Sequence, residues 1–174
     1  VIANMDFPEI EPKVWASIKT VVLDENIRID PMEEVDFTIE VENTKFQFAT
    51  AMANMLAYSV DGKMPTSSAD KSNFMVGSSM GDVLVTTPKQ YAVTRVEKID
   101  NFKAKDVDKI TIDGLEGYEI VAYGKETEKY PARMIYQVML FMDGRYYIMA
   151  GTARTDYDEN LEIFKAIARS FKQK

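Results

Sequence analysis

The sequence predicts an α+β protein in which helices cover a mainly antiparallel sheet. Three observations lead to this fold class. Apolar residues recur at helical spacing near both ends of the chain, whereas alternating or continuous apolar runs, typical of strands, fill much of the middle. Short turn sequences such as Asp113-Gly114 and Asp143-Gly144 follow apolar runs directly, so we expect the strands that they join to pair antiparallel. Helices before and after the strands can then cover the two faces of the sheet as an α-β-α sandwich.

The first half of the chain changes its hydrophobic period several times. Val14, Ile18 and Val21 follow helical spacing near the N-terminus. Further on, the segment from Phe48 to Tyr58 is rich in Ala, Met and Leu and predicts a second helix. The elements predicted in this half are a helix over 12–23, a strand over 35–42, a helix over 48–58, a loop over 62–72, and strands over 74–76, 82–87 and 91–96.

The second half contains the strongest strand signals. Met134–Met142 is apolar apart from Gln137, and Arg145–Gly151 is apolar on both faces, which predicts two central strands covered by helices. Asp156 and Glu159 predict a capping box at the start of an amphipathic terminal helix. The elements predicted in this half are an exposed charged segment over 100–108, strands over 110–112, 118–123, 134–142 and 145–151, and a helix over 156–172.

Composition excludes several classes of function. The 174 residues include 21 basic and 28 acidic side chains, a net charge of −7, which repels phosphate backbones and makes nucleic acid an unexpected partner. The absence of Cys and His removes thiol nucleophiles, disulfides, Cys/His zinc sites and histidine-dependent triads. Neither common nucleotide-binding glycine motif occurs, so no cofactor and no metal is predicted. The length favours one domain over 1–174.

Two motifs carry a chemical interpretation beside a structural one. Gly77–Gly81 matches the G-x-S-x-G pattern with Ser79 as nucleophile, but a serine hydroxyl needs a base and the chain has no histidine. We interpret this stretch as a glycine-flanked turn between strands. The acidic run Asp156–Glu162 resembles the start of a calcium loop, but Leu161 stands where such loops need glycine. We interpret its carboxylates as complementing the dipole of the terminal helix.

Methionine is unusually abundant, with 11 residues, and part of this group predicts a binding surface. Unbranched methionines fill irregular cores but also line adaptable recognition surfaces. The second half needs its apolar residues for central strands, whereas the first half has apolar residues to spare. If the stripe does not simply pack on the sheet, it faces a partner protein or a small apolar ligand. The candidate binding residues are Phe48, Met52, Met55, Tyr58, Phe74 and Met75.

The second half resembles the PsbP/Mog1-like superfamily. The resemblance lies in the segment 111–120, which contains Gly114-Leu115-Glu116-Gly117-Tyr118, in the Asp143-Gly144 hairpin, and in the closing helix with Ile167-Ala168-Arg169-Ser170-Phe171. It covers about residues 108–174 and contains no catalytic signature. The resemblance implies an α-β-α sandwich around an antiparallel sheet. Members include photosystem accessory proteins, a Ran-binding protein and bacterial envelope lipoproteins, most of which bind partners and perform no chemistry.

These observations together predict a non-enzymatic binding or accessory module of the bacterial cell envelope that acts through protein–protein contacts. A carrier or sensor of a small apolar ligand is the alternative, and a hydrolase using Ser79 or paired carboxylates is a weaker one. The chain begins at Val1, so we expect a signal or lipid-anchoring segment upstream and an extracytoplasmic location, with a cytoplasmic location left open. No apolar run approaches the ~20 residues of a membrane span, so membrane contact is expected only through such an anchor.

Overall fold

A computed structural model describes residues 11–20, 30–80, 85, 87–99, 102–128 and 131–174 of the chain. The chain divides into two compact units, Val1–Asp30 and Pro31–Lys174. In the first unit, helix α1 spans Glu11–Lys19, which confirms the beginning of the predicted N-terminal helix. Residues 21–23 of that predicted helix lie outside the described residues. One domain over 1–174 remains a prediction.

The second unit is built on a seven-stranded sheet in which every neighbouring pair is antiparallel. Its elements are β1 (Phe37–Thr38), β2 (Gln47–Met52), β3 (Met55–Ser59), β4 (Asn73–Ser78), α2 (Pro88–Glu97), β5 (Phe102–Ile112), β6 (Leu115–Gly124), β7 (Arg133–Met142), β8 (Arg145–Ala153), α3 (Tyr157–Arg169) and β9 (Lys172–Gln173). The strand order is β2-β3-β4-β8-β7-β6-β5, and β1 pairs with β9 in a separate two-stranded sheet. The predicted α+β class is therefore confirmed, with the β7–β8 hairpin central as expected.

Helix α3 covers the first face of the large sheet. Its Phe164 ring is fully buried and lies 5.7 Å from the ring of Phe46, 5.8 Å from that of Phe74 and 6.3 Å from that of Tyr136, measured between centroids. The ring fits directly against the backbone of Gly151, where a Cβ atom would lie only 2.4 Å from the Phe164 ring. Gly151 therefore lets the helix approach the central strand closely.

Helix α2 covers part of the second face, where it packs on β5, β6 and β7. Ala92 and Val96, one turn apart, are fully buried against a separate cluster that includes Phe102, Ile120 and Met139. The buried Gln137 side chain donates from Nε2 to the carbonyl oxygen of Ala92 at 3.1 Å, which ties β7 to the helix. Two helices thus lie on opposite faces of one sheet, as the sandwich architecture requires.

Two predicted elements have the wrong secondary structure. The predicted helix over 48–58 is the β2–β3 hairpin, with Ala53 at its turn in a left-handed conformation at φ 52°. Ala, Met and Leu favour a helix here, but in the hairpin Phe48 and Leu56 lie on the first face and Met52 beside the second, because the bulge and the turn interrupt the alternation. The predicted strand over 91–96 lies in α2, because Pro88 suits a first helical turn.

Smaller differences concern boundaries and turns. The strand predicted over 35–42 shortens to β1, and the segment 100–108 predicted as exposed and charged belongs in part to β5. The turn predicted over Gly77–Gly81 starts too early in the prediction, because β4 continues through Ser78. Most of the strand predicted over 82–87 lies outside the described residues. The capping box is also wrong, since Asp156 adopts a left-handed conformation and its side chain makes no capping hydrogen bond.

The two edge strands of the large sheet share a local irregularity. In β2 the register shifts between Phe48 and Thr50, so Ala49 is an extra residue opposite β3. In β5 the register shifts between Ala104 and Asp106, which makes Lys105 the extra residue opposite β6. The pairings of the five inner strands with one another show no such shift. Both irregularities are therefore bulges on outermost strands.

Candidate functional site

Beyond α2, the second face continues as an uncharged region of β3, β4 and β8 in which six residues are half-buried, whereas Ala57, Ser59 and Gly77 are buried. Cross-strand pairing places its residues in three rows, because directly paired residues point to the same side of a sheet. We call these nine residues the open sheet face. None of them is charged, although 28% of the chain is. The rows are Met55, Gly77 and Ile148; Ala57, Met75 and Ala150; and Ser59, Asn73 and Thr152.

A depression of about 130 Å³ lies where the open sheet face meets α2. We call it the apolar depression. Its volume is close to the ~150 Å³ of a cavity that holds one benzene molecule, and far below the ~300–1,000 Å³ of drug-sized ligand sites. It therefore fits a single apolar side chain. Its walls include Met55, Met75, Ile99, Ile135, Gln137, Ile148 and Ala150, with Arg95 at the helix side.

Gly77 fixes the position of Met55 beside this depression. A Cβ atom at Gly77 would lie 2.9 Å from the carbonyl oxygen of Asn54 and 3.1 Å from the Cα of Met55, so only glycine permits this approach. The Asn54 side chain donates to the carbonyl oxygen of Ser78 and, at 3.1 Å, to its Oγ. The tip of the β2–β3 hairpin is thus tied to β4, and Met55 is held against the sheet.

A second depression, also of about 130 Å³, shares Arg95 with the apolar depression. We call it the basic depression because its lining consists of Tyr91, Thr94, Arg95 and Lys98. The Arg95 guanidinium carbon lies 6.0 Å from the centroid of the Tyr146 ring, within reach of a cation–π interaction. Burial, followed by a hydrogen bond with Tyr91, raises the pKa of Tyr146, so this phenol stays neutral at physiological pH.

The structure separates the six candidate binding residues into three groups. Met55 and Met75 lie on the open sheet face and line the apolar depression. Met52 pairs with Met55 across the hairpin and is 51% exposed beside that face. The other three residues lie on the first face: Phe48 at the sheet edge, partly exposed, and Tyr58 and Phe74 in the core.

The structure corrects the predicted site at Tyr58 and Phe74, which do not lie on a binding surface. Both are essentially inaccessible, at 1% and 0% exposure, so neither side chain can contact a partner. Their burial follows from strand alternation, which turns them toward α3 while Met55 and Met75 point to the opposite side. Burial also raises the pKa of the Tyr58 phenol to about 12.

Sequence reasoning missed Arg95, Ile148 and Ala150. The last two lie on β8, some seventy residues from Met75 in sequence, and only the antiparallel pairing of β4 with β8 brings them together. The sequence pattern places Arg95 in the strand predicted over 91–96. The Thr87-Pro88 pair was the available signal, since a proline after a capping-type residue marks a helix start and would have placed Arg95 on a helix.

Ser79 continues the pairing of β4 with β8. Its backbone N–H donates to the carbonyl oxygen of Tyr146 at 2.8 Å, and its Oγ accepts from the N–H of Tyr146 at 3.3 Å. The side chain is 8% exposed. The hydrogen bond from Tyr146 uses a lone pair of the Ser79 Oγ, so this geometry does not favour Ser79 as a nucleophile.

The loop between β3 and β4 is organised around the carboxylate of Asp61. That carboxylate accepts hydrogen bonds from Thr66 Oγ1 at 2.6 Å, from Ser67 Oγ at 2.6 Å and from the Ser67 N–H at 2.8 Å. The Ser67 and Thr66 hydroxyls hold the pKa of Asp61 well below its ordinary value. Nearby, Lys45 forms an ion pair with Asp70 at 2.6 Å. The partners of Asp61 come from its own loop and, through Ser59 Oγ, from the end of β3, so the cluster orders this loop.

Other site types find no support in the described parts of the chain. Among these residues no group of three or more acidic side chains is arranged to hold a metal ion. The acidic residues Asp158 and Glu159 lie in the first turn of α3 and are exposed. Within the same described parts, no helix is long and apolar enough to cross a membrane.

Comparison with known proteins identifies the fold through structure alone. No protein-family model matches the chain, and no curated protein matches it by sequence. Among solved structures, the Ran-binding protein Mog1p of Saccharomyces cerevisiae superimposes with a TM-score of 0.57 at 9% identity, over 79% of this chain and 90% of Mog1p. LpqN of Mycobacterium tuberculosis, involved in cell envelope biogenesis, superimposes with a TM-score of 0.55 at 11% identity, over 78% of this chain and 82% of LpqN.

A cyanobacterial PsbP from Synechocystis also matches, with a TM-score of 0.48 at 10% identity, over 88% of this chain and 99% of that protein. The likeness to Mog1p and LpqN shows that the chain is an α+β sandwich with the fold of these two proteins. This confirms the fold implied by the resemblance over 108–174. At these levels of identity the likeness establishes the fold and nothing finer.

Proposed function

We propose that this chain is a non-enzymatic binding module that holds a protein partner on its open sheet face. The observation that carries the proposal is the combination of an uncharged surface with a depression of about 130 Å³. A partly accessible, uncharged region with an apolar depression and a few polar groups, on a chain this rich in charge, suits a recognition site. The likeness to Mog1p, a Ran-binding protein, supports the same class of function.

The size of the apolar depression favours a protein partner over a small apolar ligand. A carrier needs a cavity that encloses most of its ligand, whereas this depression accepts one side chain. Protein interfaces commonly seat a single anchoring side chain in such a pocket. Met55 and Met75 at its wall can adjust their rotamers to the anchor at little cost.

We further propose that the module works outside the cytoplasm, in the cell envelope. The support is the likeness to LpqN, which is involved in cell envelope biogenesis. The test is fractionation of cells that express the complete natural gene, followed by detection of this chain with an antibody. Recovery in the cytosolic fraction alone would remove the envelope assignment and leave the binding proposal intact.

Site-specific photo-crosslinking tests the binding surface. The photoreactive residue p-benzoylphenylalanine is introduced at Met75, on the open sheet face, and at Met64, a partly exposed methionine in the loop between β3 and β4. We expect a discrete protein adduct from position 75 and none from position 64 on irradiation of cells that express the chain.

Competition distinguishes a specific partner from incidental capture. Excess unlabelled wild-type protein is expected to suppress the adduct, whereas the Met75→Lys variant, with a charge on the open sheet face, is expected not to. Equal suppression by both proteins, or equal adducts from positions 64 and 75, would contradict the proposed surface. A co-purified apolar small molecule seen in native mass spectra and displaced by Met75→Lys would instead favour the carrier.

A further inference from the structure

We propose that the partner segment carries an apolar side chain next to a carboxylate, with the side chain in the apolar depression and the carboxylate in the basic depression. This inference rests on the proposed function and specifies the chemistry of its partner. The two depressions are adjacent because both are lined by Arg95. A short extended segment can therefore occupy both.

The basic depression beside the open sheet face carries positive charge, opposite in sign to the net charge of the whole chain. The chain carries −7 overall, which by itself predicts a basic partner. The helix that borders the open sheet face instead presents Arg95 and Lys98, while the face itself has no charge. Among the described residues, no carboxylate lies within salt-bridge distance of either cation. Within this part of the chain, both cations therefore lack a carboxylate partner and suit an anionic group from a partner protein.

The basic depression also offers a neutral hydrogen-bond donor for a carboxylate. Thr94 Oγ1 accepts a hydrogen bond from Gln90 Nε2 at 3.1 Å, which leaves the Thr94 O–H free to donate. A guanidinium binds the two oxygens of a carboxylate in a fixed fork, and an ammonium adds a second charge. An ionised carboxylate only accepts hydrogen bonds, and the basic depression supplies donors for it from Arg95, Lys98 and Thr94.

The apolar depression fixes the size of the neighbouring side chain. Its volume of about 130 Å³ accommodates side chains up to the size of a phenyl or branched aliphatic group. Smaller side chains also fit, but they bind more weakly because they bury less apolar area. The polar amide of Gln137 stands in a wall that is otherwise aliphatic apart from Arg95. Specificity for an acidic group therefore has to come from the basic depression.

The experiment uses three small probes and the full chain labelled with ¹³C on its methionine methyl groups. N-acetyl-phenylalanine has both the ring and the carboxylate, N-acetyl-phenylalaninamide lacks the charge, and N-acetyl-glycine lacks the ring. We expect N-acetyl-phenylalanine to shift the methyl signals of Met55 and Met75 and to bind about fivefold more tightly than its amide, the range of a partly exposed ion pair. N-acetyl-glycine is expected to leave both signals in place.

Two variants separate the charge effect from general changes. Arg95→Gln is expected to abolish the preference for the acid over the amide, while the ring still shifts Met55 and Met75. The matched control Lys89→Gln removes a cation from the same helix, on a surface with Val93 and Tyr118, and is expected to retain the preference.

An unchanged preference in Arg95→Gln, equal affinities for acid and amide in the wild type, or no shift of Met55 and Met75 with any probe would overturn the inference. These results are distinct from failure of the proposed function. An adduct from position 75 that persists without any acid preference would leave the binding surface standing and remove only this partner chemistry. Absence of that adduct would remove both.

Discussion

Phe164 is the single side chain on which the core of the first face depends most directly. Its ring contacts the rings of Phe46, Phe74 and Tyr136, which belong to a loop and to two different strands, and it rests on Gly151. We expect Phe164→Ala to reduce the free energy of unfolding by about 3–5 kcal/mol, because the substitution leaves a cavity among rigid aromatic groups. Urea denaturation followed by far-UV circular dichroism measures the change. Wild-type stability would mean that α3 does not pack as described.

Methionine exposure provides a second test at the scale of residues. Met80 and Met52 are 79% and 51% exposed, whereas Met139 and Met149 are fully buried. We expect dilute peroxide to oxidise Met80 and Met52 first, and Met139 and Met149 last. Met55 and Met75, half-buried on the open sheet face, are expected to react at intermediate rates.

Peptide mapping by mass spectrometry gives the oxidation rate at each site in the native protein. The internal control is the same protein in denaturant, where all of these methionines become equally reactive. If Met55 and Met75 resist peroxide as strongly as Met139, the open sheet face is covered in solution and the candidate surface is wrong.

At the scale of elements, Asp61 makes the loop between β3 and β4 sensitive to acid. Its hydroxyl and amide donors lower its folded-state pKa below the ordinary value of 3.8, so the ionised carboxylate stabilises the fold. This contribution is complete above about pH 4–5 and is lost as the pH falls through the lowered pKa. We expect Asp61→Asn to be less stable than the wild type at pH 6, with the two converging toward pH 2.

Thermal unfolding at a series of pH values between 2 and 6 tests this expectation. The control is Asp106→Asn on β5, an exposed position where the same charge is removed without the Asp61 hydrogen bonds. A difference between wild type and Asp61→Asn that stays constant from pH 6 to pH 2 would show that the loop does not depend on this ionisation.

Sequence patterns predicted the second half of the fold better than the first, for physical reasons. The β7–β8 hairpin and α3 have unambiguous periods, because a strand buried on both faces is continuously apolar and an amphipathic helix is not. The β2–β3 hairpin contains helix-favouring residues, and its bulge and turn interrupt strand alternation, so its sequence pattern resembles that of a helix although the segment pairs as strands. Met55 and Met75 could be found from composition, whereas Arg95 and Ile148 depended on the strand order.

At the scale of the whole molecule, the two hydrophobic clusters found among the described residues belong to the second compact unit. Their buried residues run from Val35 to Phe171. We therefore expect the fragment 31–174 to fold without the first thirty residues and to unfold cooperatively. Its heteronuclear NMR spectrum and its melting temperature, compared with those of the full chain, provide the measurement. A disordered fragment would show that 1–174 is a single folding unit.

The bulges at the two sheet edges have a consequence for how the protein behaves at high concentration. An outermost strand has unpaired backbone N–H and C=O groups, to which a strand of a second chain can hydrogen-bond. Such edge-to-edge pairing is the first step in the growth of fibrils. β5 carries lysines and aspartates along its length, but β2 has no charged residue, so Ala49 in its bulge is the main interruption there. Deleting Ala49 would give β2 a regular ladder and make the molecule prone to aggregate. Ala49 therefore helps to prevent a strand of a second molecule from pairing with β2.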